Sequence, residues 1–124
     1  MVKWIALLLV LSPTVVSAEF IKNRTDWNKL GPSQKAFYVM GMLDYQISVV
    51  ADEWLSQYNS DIESCIVDLG LTAGGISEII DRGYEDLEKW EQPPIPVYFM
   101  GIRKVCLNHM NRARAARGDE LLEP

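Results

Sequence analysis

The sequence predicts an all-α fold, a small antiparallel bundle of three main helices plus one or two short helices, held by one disulfide. Three observations carry that expectation. Apolar residues recur every three or four positions in three separate stretches. Glycine and proline punctuate the ends of those stretches. No run alternates apolar and polar side chains as a half-buried strand does. At 124 residues with two cysteines, the chain is sized for a single domain.

The longest periodic stretch runs from Gly31 to Tyr58. Ala36, Met40, Leu43, Ile47, Val50, Trp54 and Tyr58 follow one another at steps of three or four, which predicts one continuous helix with an apolar stripe. Gly31 suits the N-cap, Pro32 the first helical position where an amide would be unpaired anyway, and Gln34 the return arm of a capping box. Ahead of it, Glu19 to Leu30 is a polar lead-in. There Thr25 can cap a single turn, and Trp27 and Leu30 fold back as a lid on the core.

After the long helix, Asn59-Ser60-Asp61 reads as a helix end and turn, and Ile62 to Leu71, broken by Gly70, as a linker anchored by Cys65. The second helix is predicted from an N-cap at Thr72 to about Glu91, with Ile76, Ile79, Ile80, Gly83, Tyr84, Leu87 and Trp90 on one side. Pro93 and Pro94 end it. The third helix enters through Pro96 and covers Val97 to about Arg117, with Phe99, Ile102, Cys106, Ala113 and either His109 or Met110 facing inward. Arg112, Arg114 and Arg117 read as a solvated basic helix end, Gly118 as the stop, and residues 118–124 as a flexible acidic tail. Gly41, Gly83 and Gly101 each fall inside a helix, where glycine is unfavourable, and close helix approach is the expected compensation.

Met1 to Ala18 has the features of a secretory signal peptide: Lys3, an apolar run from Trp4 to Leu11, and Val16-Ser17-Ala18 before a cleavage site at Glu19. The run is short of the roughly 20 residues that span a membrane. A periplasmic or secreted chain with a single helical domain over 19–117 is therefore expected. In such a compartment Cys65 and Cys106 should pair, and closing a loop of that length constrains the unfolded chain by about 4 kcal/mol. Removing Lys3 with the leader leaves 11 basic against 17 acidic residues. That balance argues against nucleic acid and anionic lipid as partners and is compatible with a basic protein.

The residues predict no catalytic site, no metal site and no cofactor. His109 follows Cys106 at a spacing that shares a helix face, but a metal site requires further ligands and a free thiolate. The pairs Asp81 with Glu85 and Glu85 with Glu88 sit one turn apart on a polar face, where carboxylates are ordinarily solvated. Gly74-Gly75 lacks the strand and lysine of a phosphate-cradling loop. The best candidate for recognition is the stiff connector Trp90, Glu91, Gln92, Pro93, Pro94 to Tyr98, whose prolines limit the entropy lost on docking a protein partner. A rigid helix-to-helix connector is the alternative reading of the same residues.

Tyr38, Gly41 and Asp44 in the long helix, Cys65 upstream of Leu71-Thr72, Ile79-Ile80 and Tyr84 in the second helix, the proline break and Cys106 together resemble the Rap/Tai family of periplasmic immunity proteins, which counter type VI secretion effectors. Where members of that family often carry a further cysteine ahead of the tyrosine, this chain has Ala36 and Phe37. Trp27, Gln34-Lys35, Ile80-Asp81, Tyr84 and Ile95-Pro96-Val97 are also similar to a group of small exported bacterial proteins of unassigned function. The family resemblance implies a non-enzymatic helical inhibitor that binds and sterically blocks a peptidoglycan amidase effector, often as a homodimer. The alternative is a periplasmic structural or stress-associated helical module with no single tight partner.

Overall fold

A computed structural model describes residues 20–49 and 52–124. The predicted leader over 1–18 and the stripe position Val50 lie outside them. Five α-helices follow in chain order: α1 (Arg24–Asn28), α2 (Pro32–Ser48), α3 (Glu53–Asp68), α4 (Ala73–Gly83) and α5 (Pro94–Arg117), with a 3-10 turn at Leu87–Lys89. The all-α class and the single disulfide are as the sequence predicts. Four of the helices are long, because the stretch read as one helix from Gly31 to Tyr58 is two.

The break is local chemistry that periodicity does not see. Val49 leaves the helical region at φ −72°, ψ 107°. Asp52 then caps a new helix, its Oδ1 accepting from the Leu55 amide at 2.8 Å, and Glu53 adds negative charge to the first turn. Helix α3 absorbs Asn59-Ser60-Asp61 and continues to Asp68, so most of the expected linker around Cys65 is helical. Gly70, two residues past its end, turns the chain with a φ of +63° that suits glycine.

Other boundaries follow from caps. Gly31 and Gln34 open α2 as predicted, with Gln34 Oε1 accepting from the Gly31 amide at 2.9 Å. Thr72 caps α4 through the Gly75 amide at 3.1 Å. Helix α1 is capped by Asn23, which accepts from the Asp26 amide, and not by Thr25. Helix α4 stops at Gly83, short of Glu91, because Asp86 caps the 3-10 turn through the Glu88 amide and the Tyr84 hydroxyl donates to the Gln92 carbonyl at 2.7 Å. Helix α5 starts at Pro94, so Pro96 also falls in the first turn, where a missing amide costs nothing.

Helix α4 packs against both α2 and α5, and α3 packs against α5. Val39, Ile62, Ile76, Ile80, Val97, Ile102 and Met110 fill the core between them, with Trp27 closing one end. Trp27 is fully buried, its Nε1 donating to Asp81 Oδ1 at 2.7 Å, and Lys35 Nζ reaches the same oxygen at 2.7 Å. The buried Cys65–Cys106 bond joins α3 to the middle of α5 with Cα atoms 5.9 Å apart, an ordinary separation.

Of Gly41, Gly83 and Gly101, two mark a close approach, and they do so reciprocally. A Cβ on Gly83 of α4 would strike Val97 Cγ1 of α5, and a Cβ on Gly101 of α5 would lie 2.5 Å from Ile79 Cγ2 of α4. Each helix thus inserts a branched side chain over the other's glycine. Among the described residues nothing lies within 4 Å of the corresponding point at Gly41, so no close approach accounts for it there.

Of the three C-terminal arginines, Arg112 is solvated as expected, whereas Arg114 and Arg117 are tied into the fold. Arg114 is buried and donates to the Glu120 carbonyl, while Arg117 holds the buried Asp61 carboxylate at 2.9 and 2.8 Å and also reaches Asp119. The segment after Gly118, expected as a flexible tail, turns back along α5. Asn111 exchanges two hydrogen bonds with Leu122, and Arg103 donates to the Glu123 carbonyl.

Candidate interaction surface

The connector expected to recognise a partner is largely an internal brace. Tyr98 is fully buried on α5 and donates from its hydroxyl to Gln46 Oε1 at 2.9 Å. Pro94 is buried as well. Trp90 donates from Nε1 to the Tyr84 carbonyl at 3.0 Å, and its ring lies 4.4 Å beneath the Arg24 guanidinium. The Arg24 amide in turn donates to the Trp90 carbonyl at 2.9 Å. Gln92 is half-buried, and its carbonyl is taken by Tyr84. Only Glu91, Pro93 and one edge of Trp90 face outward, so the six residues do not form a continuous docking surface. The prolines set the path of the chain, and the aromatics close it.

The residues that carry the family resemblance divide differently. Tyr38 turns partly inward, edge-on to Trp27 at a centroid distance of 5.6 Å, and burial raises the pKa of its hydroxyl. Gly41 and Asp44 point away from the core on the exposed face of α2, between Phe37, Met40 and Tyr45. Phe37 is 71% exposed and Tyr45 68%, high values for large apolar side chains that the fold itself does not use.

Between α2 and α3 lies an apolar groove of about 170 Å³, lined by Leu43, Ile47, Ile62, Ile66 and Val67 with Gln46, Asn59 and Glu63 at its edges. The stripe read from the sequence explains it. Helix α2 buries Val39, Met42 and Gln46, whereas Met40 and Ile47 of the predicted stripe are mostly exposed. Of that stripe, Leu43 and Ile47 line this groove. Gln46 bridges the two helices at the groove's edge, donating to Asn59 Oδ1 at 3.1 Å while its Oε1 accepts from the Tyr98 hydroxyl.

Sequence reasoning missed one signal that marks this region. From Ala36 to Asp81, 46 residues that include most of α2, all of α3 and most of α4, there are eight acidic residues and no lysine, arginine or histidine. Net charge over the whole chain averages this asymmetry away.

Other constellations are satisfied structurally. Asp81 is held by Trp27 and Lys35, and Lys89 beside Asp86 lowers the pKa of that carboxyl. His109 Nε2 lies 3.4 Å from Asp68 Oδ2, while Cys106 is in the disulfide. A larger hollow of about 580 Å³ beside Trp54 and Gln57 is walled by Arg114, Arg117, Asp119 and Glu120. Its arginines are already paired within the fold. Among the described residues no three histidine, cysteine or acidic side chains group as metal ligands, and no helix is long and apolar enough to cross a membrane. No family model matches the chain, and no curated protein or solved structure is significantly similar to it.

Proposed function

We propose that this chain is an exported, non-enzymatic binding protein of the immunity type, which occludes the active-site cleft of a cell-wall-degrading amidase. The observation that supports it is the outward face of α2. Gly41 and Asp44, two of the three helix positions behind the family resemblance, sit among Phe37, Met40 and Tyr45 on a surface the fold leaves uncovered. Phe37, Met40 and Tyr45 give that surface the apolar area that a partner could bury. The Cys65–Cys106 bond supports an oxidising, extracytoplasmic compartment. It also presents the face on a framework that loses little entropy on binding.

Titration of the oxidised protein into purified type VI amidase effectors acting on peptidoglycan tests the reading. Stoichiometric inhibition is expected for at least one of them, with a loss of tenfold or more in potency for Phe37→Asp at unchanged circular dichroism. Absence of inhibition, together with broad suppression of client aggregation, would instead favour the structural or stress-associated module.

A further inference from the structure

We infer that the groove between α2 and α3 is a docking site for a basic amphipathic helix of a different protein. This deepens the binding role proposed above and rests on it only in assigning a protein partner, not in the partner's being an amidase.

Size argues first. At about 170 Å³ the groove is smaller than the roughly 300–1,000 Å³ of pockets that enclose small molecules. It is open along two neighbouring helices and lined by branched aliphatic side chains, which suits one or two apolar knobs spaced along a partner helix. Ile47 and Val67, 56% and 69% exposed, form its lips.

Charge selects the partner. Glu63 is the only ionisable side chain of the lining, and Asp44 stands exposed on the adjoining face of α2. The ion pairs among the described residues involve Asp26, Asp61, Asp68, Asp81, Asp86 and Asp119; Asp44 and Glu63 are among the ten other described carboxylates and are the ones that border this groove. Neither α3 nor the part of α2 beyond Lys35 carries a basic residue to pair with them. A partner helix with lysine or arginine flanking its apolar stripe satisfies both requirements, burying the aliphatic lips and pairing the two carboxylates. A second copy of this chain does not, because the same face would set like charges against each other.

An 18-residue peptide with leucine on one helical face and lysine on the other, and its leucine/glutamate counterpart, make the test with the oxidised full chain. Titration calorimetry is expected to show one-to-one binding of the lysine peptide, at least tenfold tighter than the glutamate peptide. Amide shift changes should centre on Leu43, Ile47, Ile66 and Val67. The exposed double variant Asp44→Lys with Glu63→Lys should reverse the preference between the peptides, and Ile47→Asp should weaken both. Equal affinity for the two peptides, shift changes centred elsewhere, or no binding would overturn the inference. So would a wild-type dimer in sedimentation that Ile47→Asp dissociates, since the occupant would then be a second copy. Amidase inhibition is not read in this experiment, so failure here leaves that proposal standing and the reverse also holds.

Discussion

The seam between α4 and α5 and the seam between α2 and α3 are both built from aliphatic side chains on neighbouring helices, yet one is shut and the other open. At the first, Gly83 and Gly101 remove two side chains, and Val97 and Ile79 occupy the vacated space, so the helices meet at their backbones. At the second, Leu43, Ile47, Ile66 and Val67 line an open groove, and the described hydrogen bonds across it run between Gln46 and Asn59. Closure therefore depends less on how apolar a helix face is than on whether a small residue sits opposite each large one. Helix α2 has such a residue in Gly41, but it faces outward, where no described helix packs on it.

The largest expected effect comes from uncoupling the open seam from the closed one. Cys65 anchors α3 to α5, so replacing Cys65 and Cys106 together by serine should destabilise the protein by about 2–5 kcal/mol. Urea unfolding measures this. Hydrogen exchange should accelerate in α3 before α4, because α4 keeps its glycine contacts; uniform acceleration would erase the distinction between the seams.

Alanine at the glycines should then act with opposite signs. Gly101→Ala forces Ile79 to move and is expected to lower stability by about 1–3 kcal/mol through overpacking. Gly41→Ala meets open space and should raise it by up to about 1 kcal/mol through helix propensity. Thermal melts of the two variants decide it. A destabilising Gly41→Ala in the free protein would show that α2 is constrained in a way this packing does not explain.

A smaller effect should appear at high pH. Burial holds the Tyr98 and Tyr84 hydroxyls above their ordinary pKa, and for Tyr84 the neighbouring Tyr38 adds to it. Ionisation is thus easier in the unfolded chain, so their contribution is full below about pH 10 and is lost as pH rises beyond it. Urea midpoints at pH 9 and 11 should fall in that order, and Tyr98→Phe should flatten the decline.

Much of the fold was legible in the sequence because caps and glycines act locally. Gly31, Thr72 and Gly118 mark their helix ends as expected, Cys65 and Cys106 pair, and Gly83 with Gly101 gives the α4–α5 contact. Two features were not legible from apolar spacing. The break at Val49 keeps the three-four rhythm intact on both sides, so only the Asp52 cap reveals it. The rotation of α2 is set by Gln46, a polar residue drawn inward by Tyr98 and Asn59, and no hydrophobic count would place it there. The two readings of the connector from Trp90 to Tyr98 could not be separated for a related reason. Aromatic and proline content looks the same whether it faces solvent or locks a turn from within.

The run without cations between Lys35 and Arg82 also shapes how the molecule can be taken apart. Trypsin has no cutting site within it, so digestion without reduction should release Ala36–Arg82 in one piece, still joined through Cys65 to the fragment Val105–Arg112 that carries Cys106. Amine-directed cross-linkers find no lysine there either. Mapping of that surface in any complex will need carboxylate-reactive reagents or an enzyme that cuts at acidic residues.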